Sequence, residues 1–303
     1  MPGACLVAGA LLAAVSGCAA TIERNGITVW FSVPSVASHL VRNGLLAPGA
    51  MPGLRWSLFC GEALPRSVAE AWQAAAPHST LENLYGPTEL TIACAAYRWD
   101  RRRSPAECSR DIVPIGQLYP HMRPLLIDPE TLGDAAPGAT GELCVAGPQR
   151  FAGYWGSREL DAGRFIERME AGEKVRYYRT GDLVQHGANG NLEFVGRSDH
   201  QVKIGGYRVE LGEIEAALRV AGCTDAIALL CASPDTPDPA LHAVVTGVGV
   251  DVERLLERLR AALPPYMVPA AIHAIAGMPL NQNGKADRAA LHDAIERGAI
   301  STY

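Results

Sequence analysis

The segment 196–215 constrains this 303-residue chain more than any other. Polar and apolar residues alternate over Gln201–Ile204 and again over Tyr207–Glu210, which is the period of a β-strand. The pair Gly205-Gly206 lies between these runs and tolerates the positive φ angles of a tight reversal. Apolar residues from Leu211 to Leu218 then recur at helical spacing. We therefore predict a charged β-hairpin that leads directly into a helix.

Composition indicates a folded protein with an ordinary surface. The chain is 48% hydrophobic and 19% charged, which suits a folded chain rather than a disordered one, and its length suits two domains. The net charge of −5 gives no general attraction to nucleic acid, so we predict no such partner. The eight cysteines form no Cys-x-x-Cys pair, and we interpret them as reduced thiols.

The apolar run at 4–20 leaves two interpretations open. No charge precedes Glu23, and the sequence ending in Cys18 resembles a lipoprotein cleavage site. Against export, no basic residue stands ahead of the run, and its many Ala and Gly residues give little drive to cross a bilayer. We expect a cytoplasmic protein with no membrane partner, and a lipidated Cys18 at the mature N-terminus would indicate export instead.

Alternating elements predict the fold of the first part of the chain. Strand-like runs at 27–33, 55–60 and 80–85, with a helix over 65–76, predict a mostly parallel sheet that binds ligands at its strand ends. Short strand signals between Gly and Pro over 111–196 predict a small barrel-like or β-rich subdomain.

Helices and strands mix again in the C-terminal part, from about His200. The predicted strands are 226–232 and 241–246. The predicted helices are 251–263 and 287–297, and residues 234–239 are predicted to form a proline-rich loop.

Three short strings carry groups suited to nucleotide chemistry. After the strand that ends at Tyr85, Gly86-Pro87 forces a turn, Thr88 can bond a phosphate oxygen and Glu89 can hold Mg²⁺. From these residues alone, a nucleotide site and a decorated β-turn are equally supported. The second string is 178–183. From these residues alone, Asp182 is interpreted as a residue of a glycine turn.

The third string, around Lys285, reads by itself as a surface turn before a helix capped by Asp287. It is not a Walker loop, because the spacing from Gly277 to Gly284 fails and Ala286 replaces the required Ser or Thr. Hydrolase, dehydrogenase and zinc-protease motifs are absent from the sequence.

Together with segment 196–215, these strings resemble adenylate-forming enzymes, the group of acyl-CoA ligases, luciferases and the amino-acid adenylation domains of nonribosomal peptide synthetases. The resemblance implies an α/β fold of mixed α and β elements. Residues 1–198 would be the C-terminal part of a large AMP-binding domain, with an α/β part at 1–110 and a β-rich subdomain at 111–198. Residues 199–303 would form a small α+β lid that moves about a hinge at Asp199.

The resemblance also implies roles for individual residues. The implied catalytic residues are Lys285, Glu89 and Thr88, with Glu89 as the Mg²⁺ ligand, and Asp182 would accept the ribose hydroxyls. The implied nucleotide-binding set is Gly61, Glu62, Asn83, Tyr85, Gly86, Thr88, Asp182, Arg197 and Lys285. The implied substrate pocket is Leu58, Cys60, Leu84, Ile92 and Ala93, whose apolar character favours an apolar substrate.

The implied activity is ATP-dependent activation of an amino acid as aminoacyl-AMP, with transfer to the phosphopantetheine thiol of a carrier protein. The proline of Tyr-Gly-Pro-Thr-Glu and the Asn-Gly-Lys-Ala-Asp-Arg loop favour a peptide synthetase over an acyl-CoA ligase. No Leu-Gly-Gly-x-Ser attachment site follows, so the carrier would act in trans. An acyl- or aryl-CoA ligase and a noncatalytic nucleotide- or carrier-binding remnant stay open as alternatives.

The sequence departs from the family pattern in several places. Residues 149–152, just before Gly153-Tyr154 of a structural motif, replace the usual Gly-(Val/Leu)-Ala-Arg, for which we expect little catalytic effect. Gly205 replaces an arginine, which puts one contact of the hairpin in doubt. The Ser/Thr/Gly-rich loop that closes over ATP phosphates is absent, as is the aspartate that pairs with the substrate amino group. We expect a truncated fragment whose uncovered apolar surface favours association. Whether such a fragment is active alone stays open.

Overall fold

The structure is a computed structural model that describes residues 17–156, 158–199, 201–233, 236–247, 251–281 and 286–300. The chain divides into two compact units, Met1–Asp199 and His200–Tyr303. The division falls directly after Asp199, the residue that the resemblance implies as the hinge.

A five-stranded sheet forms the α/β part of the first unit, with strand order β1-β2-β3-β4-β5. Strands β1 to β3 run parallel, whereas β4 and β5 pair antiparallel, so the predicted parallel arrangement holds for the first three strands only. The strands are β1 Val29–Ser32, β2 Trp56–Cys60, β3 Thr80–Tyr85, β4 Ala95–Arg98 and β5 Gln117–Leu118. The helices are α1 Cys18–Arg24, α2 Pro34–Arg42, α3 Arg66–Ala75 and α4 Ser104–Glu107.

Helix α3 is held to one face of this sheet by its apolar stripe. Val68, Trp72 and Ala75 recur at helical spacing and are buried. The Trp72 ring packs edge-on against Phe59 of β2 at a centroid distance of 5.1 Å. Its indole Nε1 donates to Ser57 Oγ at 2.8 Å, so the polar edge of the ring is also satisfied. This packing fixes β2 and β3, whose C-terminal ends carry the candidate site.

The predicted β-rich subdomain is a second sheet of five antiparallel strands, in the order β10-β9-β7-β6 with β8 paired to β9. Its strands are β6 Arg123–Ile127, β7 Gly141–Ala146, β8 Phe165–Glu170, β9 Glu173–His186 and β10 Leu192–Arg197. Buried residues of β7 and β9 share a core with Tyr85, Leu90 and Cys94. This shared core joins the subdomain to the end of β3.

The second unit begins with the predicted hairpin, which is confirmed residue for residue. Strand β11 is Gln201–Ile204 and strand β12 is Tyr207–Glu210, paired antiparallel. Gly205 and Gly206 have φ angles of 54° and 83°, as a two-residue hairpin turn requires.

A helix and a three-stranded sheet follow the hairpin. The remaining elements are α5 Leu211–Val220, β13 Asp225–Ser233, β14 Thr236–Thr246, α6 Val252–Ala262, β15 Ala271–Ala274 and α7 Arg288–Glu296. Helix α7 begins at Arg288 because Asp287 caps it, accepting the amide of Ala290 at 3.0 Å.

The predicted proline-rich loop at 234–239 is wrong in its second half. Strand β14 already begins at Thr236, and residues 234 and 235 lie outside the described residues. Strand β15 pairs with β14 only from His242 onward. Among the described residues, the N-terminal part of β14 therefore has one neighbouring strand, and an edge of this kind tolerates prolines, which lack an N–H.

Two buried histidines of the second unit predict a pH-dependent stability. His242 of β14 and His273 of β15 stack, and their Nδ1 and Nε2 atoms lie 2.9 Å apart. Burial, and secondarily the charge of His273, lower the pKa of His242 below 6.5. Because the unfolded chain then binds the proton more readily than the folded chain, the contribution of His242 to the free energy of unfolding is complete above about pH 6.5. This contribution is lost as the pH falls further.

We expect the urea concentration at the midpoint of unfolding to decrease as the pH is lowered from about 7.5 to about 5. The substitution His242→Gln should make this decrease smaller. His292→Gln on α7 serves as the control, because His292 is partly exposed. Parallel loss of stability in the wild type and in His242→Gln would contradict the prediction.

Candidate functional site

The turn after β3 is tightly built around a glycine. Gly86 follows Tyr85, and a short 3₁₀ turn spans Thr88–Leu90. A Cβ atom on Gly86 would lie 2.8 Å from Ala93 Cα and 2.9 Å from the backbone nitrogen of Cys94. Only glycine therefore allows the chain to return beside β3, where the Cys94 amide bonds the Tyr85 carbonyl at 2.7 Å.

A buried polar cluster links this turn to β9 and β10. The Tyr85 hydroxyl donates to Asp182 Oδ2 at 2.6 Å, and Arg197 Nη1 donates to Asp182 Oδ1. Arg197 also holds Asp199 with two bonds, from Nε at 2.7 Å and from Nη2 at 2.8 Å. Three residues of the predicted nucleotide set and the predicted hinge therefore form one connected network in the first unit.

The protonation of this cluster follows from its burial. Burial first, and then the neighbouring Asp182 charge, raise the pKa of Tyr85 well above its usual value, so its hydroxyl stays a donor. Burial alone would lower the pKa of Arg197. The hydrogen bond to Asp199 and the charges of Asp182 and Asp199 outweigh burial and raise it overall. Arg197 is therefore a permanent cation between two carboxylates.

The interpretation of Asp182 as a turn residue is wrong, because Asp182 lies inside the 14-residue strand β9. Gly181 has a φ of 74°, and the register of β9 against β7 shifts close by. A Cβ on Gly181 would come within 2.6 Å of Asp199 Oδ2 and 2.7 Å of Arg197 Nη2. The glycine thus marks an irregularity within a strand, which lets the cluster approach the backbone closely.

Glu89 has a partner that the sequence analysis missed. Its side chain is buried, and Oε1 accepts a hydrogen bond from the Tyr154 hydroxyl at 2.7 Å. The backbone amide of Phe151 also bonds the Glu89 carbonyl at 2.9 Å. A buried carboxylate oriented by a tyrosine is a suitable oxygen ligand for a hard cation. No local pattern links positions 89 and 154, so only the Gly153-Tyr154 string signalled this residue.

Asn83 lies two residues before Tyr85 on β3. Its Nδ2 donates to the carbonyls of Pro114 at 2.9 Å and Val113 at 3.3 Å. Its Oδ1 is buried and has no hydrogen-bond partner among the described residues. A buried acceptor of this kind is costly unless a ligand supplies a donor.

Two other predicted nucleotide residues lie at the end of β2. Gly61 takes a φ of 101° immediately after Cys60. Glu62 accepts the amide of Ser35 at 2.8 Å, close to the start of helix α2. Thr88 is exposed at the start of the 3₁₀ turn.

Three of the five predicted pocket residues lie on the neighbouring strands β2 and β3, and Ile92 and Ala93 lie in the turn before β4. Leu58 and Cys60 are two residues apart on β2, and Cys60 is the register partner of Leu84 on β3. Cys60 Sγ lies 3.7 Å from the carbonyl oxygen of Ile92. Ile92 is 65% exposed, whereas Ala93 is buried. Since register partners share a face of a sheet, Leu58, Cys60 and Leu84 line one surface.

Lys285, the principal predicted catalytic residue, lies outside the described residues, which resume at Ala286. Its flanks are fixed within the second unit. Leu280 and Ala286 form an isolated β-bridge, and the Asp287 amide bonds the Pro279 carbonyl at 2.8 Å. Arg288 pairs with the buried Glu215 and donates to the Ala228 carbonyl at 2.8 Å.

Within the described part of the chain, no group of three or more His, Cys, Asp or Glu residues could hold a metal ion. None of the helices there combines the length and the apolar character needed to span a bilayer.

The α/β sheet, the β-rich subdomain, the small second unit and the polar cluster at the end of β3 define an adenylate-forming protein. Residues 3–155 match the model of the AMP-binding enzyme family, and the chain belongs to this family.

Two of the similar curated proteins are named as nonribosomal peptide synthetases. CymA of Salinispora arenicola, described as a probable non-canonical nonribosomal peptide synthetase, is 42% identical over 88% of this chain. A dimodular nonribosomal peptide synthase of Bacillus subtilis is 36% identical over 89%. The chain spans 3% and 11% of these two proteins.

The structure also resembles a solved adenylation domain. AlmE of Vibrio cholerae, crystallised with glycyl-adenosine-5'-phosphate, is 32% identical, with a TM-score of 0.79 over 93% of this chain. The chain spans 52% of the AlmE chain. The adenylation-domain fold is therefore present here in part.

Proposed function

We propose that this chain activates the carboxylate of an amino acid with ATP, forming aminoacyl-AMP and pyrophosphate. The aminoacyl group would then pass to the phosphopantetheine thiol of a carrier protein that acts in trans. The single observation that carries the proposal is the buried cluster of Tyr85, Asp182 and Arg197 at the end of β3. It offers a fixed carboxylate in a chain of the AMP-binding family.

The residues present fit a nucleotide. Asn83 has a buried acceptor oxygen that no described residue pairs, which suits the exocyclic amino group of a base. Asp182 is an acceptor for ribose hydroxyls, and its two oxygens are at present satisfied by Tyr85 and Arg197. Base stacking on Tyr85 stays a prediction, since the ring is buried in the core that β3 shares with β7 and β9.

Glu89 fits the role of a Mg²⁺ ligand. Mg²⁺ is commonly bound by one or two carboxylates together with substrate phosphates and water, so a single oriented carboxylate is enough. When bound, Mg²⁺ would neutralise phosphate charge. Tyr154 would hold Glu89 in one orientation through its 2.7 Å hydrogen bond.

In the chemical step, the substrate carboxylate attacks the α-phosphorus and pyrophosphate leaves. Negative charge builds on the phosphoryl oxygens, so fixed cations and donors contribute most to the rate. We assign Lys285 to the carboxylate and phosphate oxygens, and Thr88 to a phosphate oxygen. The second unit would act as a lid that turns about Asp199, removing Lys285 and presenting the Gly205-Gly206 hairpin for thioester formation.

Two relatives support an amino-acid substrate and a carrier partner. AlmE was solved with glycyl-adenosine-5'-phosphate, in which an amino acid is joined to AMP. PA1221, 29% identical with a TM-score of 0.73 over 92% of this chain and 46% of its own, contains an adenylation domain and a PCP domain. The apolar lining by Leu58, Leu84 and Ile92 favours an apolar amino acid.

Amino-acid-dependent exchange of labelled pyrophosphate into ATP tests the proposal. We expect exchange with one or a few apolar amino acids and none without Mg²⁺. Tight calorimetric binding of an aminoacyl-AMP mimic without exchange would support a noncatalytic nucleotide-binding protein instead. Consumption of CoA with a fatty or aryl acid would support an acyl-CoA ligase.

A further inference from the structure

Two adjacent residues of the predicted pocket region adopt a strained backbone. Thr91 and Ile92 have φ angles of 58° and 70°. Both are β-branched, and the left-handed region is unfavourable for such residues. Such strain persists only where surrounding contacts fix the conformation. Contacts from other segments of the chain must therefore fix the conformation of this turn.

Gln149 supplies two of the contacts that hold the turn, one on each side of Ile92. Its backbone carbonyl accepts the Thr91 hydroxyl at 2.9 Å. Its side-chain Nε2 donates to the Ala93 carbonyl at 3.0 Å. Gln149 follows strand β7, so the two partners come from distant parts of the sequence and fix one conformation of residues 91–93.

The turn held by Gln149 carries two residues of the predicted pocket. Ile92 presents an exposed apolar side chain, and its carbonyl oxygen lies 3.7 Å from Cys60 Sγ. A change in the backbone at 91–93 would move the Ile92 side chain relative to Cys60 and Leu84. The shape of the apolar surface thus depends on a residue that is not itself part of it.

We propose that Gln149 is a positioning residue that sets amino-acid selectivity, by holding the Thr91–Ile92 turn in its strained conformation. The proposal rests on the proposed function, and it assigns selectivity to a place where the chain departs from the family pattern. It also adds to the expectation that residues 149–152 have little catalytic effect: the effect of Gln149 falls on substrate choice rather than on nucleotide binding. The preferred substrate is an apolar amino acid.

The test compares Gln149→Met with the wild type. Methionine keeps the length of the side chain and removes the donor to Ala93. Gln117→Met is the matched control, because Gln117 is exposed on β5 and donates only a 3.3 Å bond to Asn189. Calorimetry is carried out on the full chain with AMP and with non-hydrolysable glycyl, alanyl, valyl, leucyl and phenylalanyl adenylate mimics.

We expect Gln149→Met to bind AMP as the wild type does, with the affinity ratio between the best and second-best mimic reduced about two- to tenfold. This range corresponds to the loss of one hydrogen bond. A merely structural role would weaken AMP and all mimics together and would leave the ratio unchanged. Gln117→Met should change neither quantity.

A second variant keeps the test decisive if Gln149→Met does not fold. Thr91→Val is isosteric and removes the other hydrogen bond, so the same loss of selectivity is expected. An unchanged ratio in the folded variants, with AMP still bound, would overturn the role of Gln149 and leave the proposed function standing. A wild-type chain that binds neither AMP nor any mimic would overturn both.

Discussion

Replacing Asp182 with alanine is expected to abolish detectable AMP binding and to lower the free energy of unfolding by about 3–5 kcal/mol. The side chain of Arg197 is only 12% exposed, and it would keep Asp199 but lose its more deeply buried partner. The buried Tyr85 hydroxyl would also lose its acceptor, which is costly in itself. Urea unfolding and calorimetry with AMP measure the two effects.

The two effects of Asp182→Ala can be separated with a second buried pair. Glu215 and Arg288 form a comparable ion pair in the second unit. Glu215→Ala should therefore destabilise the chain to a similar extent while AMP affinity is kept. Asp182→Asn keeps an acceptor for Tyr85 and should be milder in stability. Unchanged AMP affinity in Asp182→Ala would remove Asp182 from the nucleotide site.

The cluster around Asp182 also suggests how nucleotide and hinge communicate. Arg197 bonds Asp182, the proposed ribose acceptor, and Asp199, the proposed hinge, with one guanidinium group. A ligand that donates hydrogen bonds to Asp182 must share that carboxylate with Arg197. Any shift of Arg197 then changes its bonds to Asp199. Such a coupling would be local and electrostatic, and it would need no long pathway through the molecule.

Local signals explain which elements the sequence analysis predicted well. The hairpin of β11 and β12 and the strand Thr80–Tyr85 agree with the structure at both ends. Strand Thr80–Tyr85 is followed by Gly86, and Gly205-Gly206 separates the two strands of the hairpin. Information of this kind is contained within a few neighbouring residues, so a sequence alone expresses it.

Long-range contacts explain what the sequence analysis missed. Asp182 was interpreted as a turn residue because Gly181 precedes it, but pairing with β7 and β10 extends the strand through both. Glu89 and Tyr154 are 65 positions apart. The sequence marks Gln149 only as a departure from the family pattern. Its contacts with Thr91 and Ala93 depend on tertiary structure. Pairing between distant segments leaves no local periodicity to detect.

Replacing Lys285 with alanine is expected to slow ATP–pyrophosphate exchange by about 10²–10³-fold, the usual effect of removing one fixed stabiliser of transition-state charge. AMP affinity should fall far less than the exchange rate, because the polar cluster that we assign to the nucleoside lies in the first unit and is unchanged. Lys174→Ala is the control, since Lys174 is an exposed partner of Glu167 between β8 and β9. Exchange that survives Lys285→Ala would rule out this role.

A labelling experiment tests the same residue without turnover. The chain has only three lysines, Lys174, Lys203 and Lys285, so a modified site is easily assigned by mass spectrometry. An acyl-phosphate derivative of ATP transfers its acyl group to a lysine amine close to the bound phosphates. We expect modification of Lys285 that excess ATP suppresses. Modification of Lys174 or Lys203 alone, or of all three lysines regardless of ATP, would contradict a lysine near the carboxyl end of the chain acting on the nucleotide.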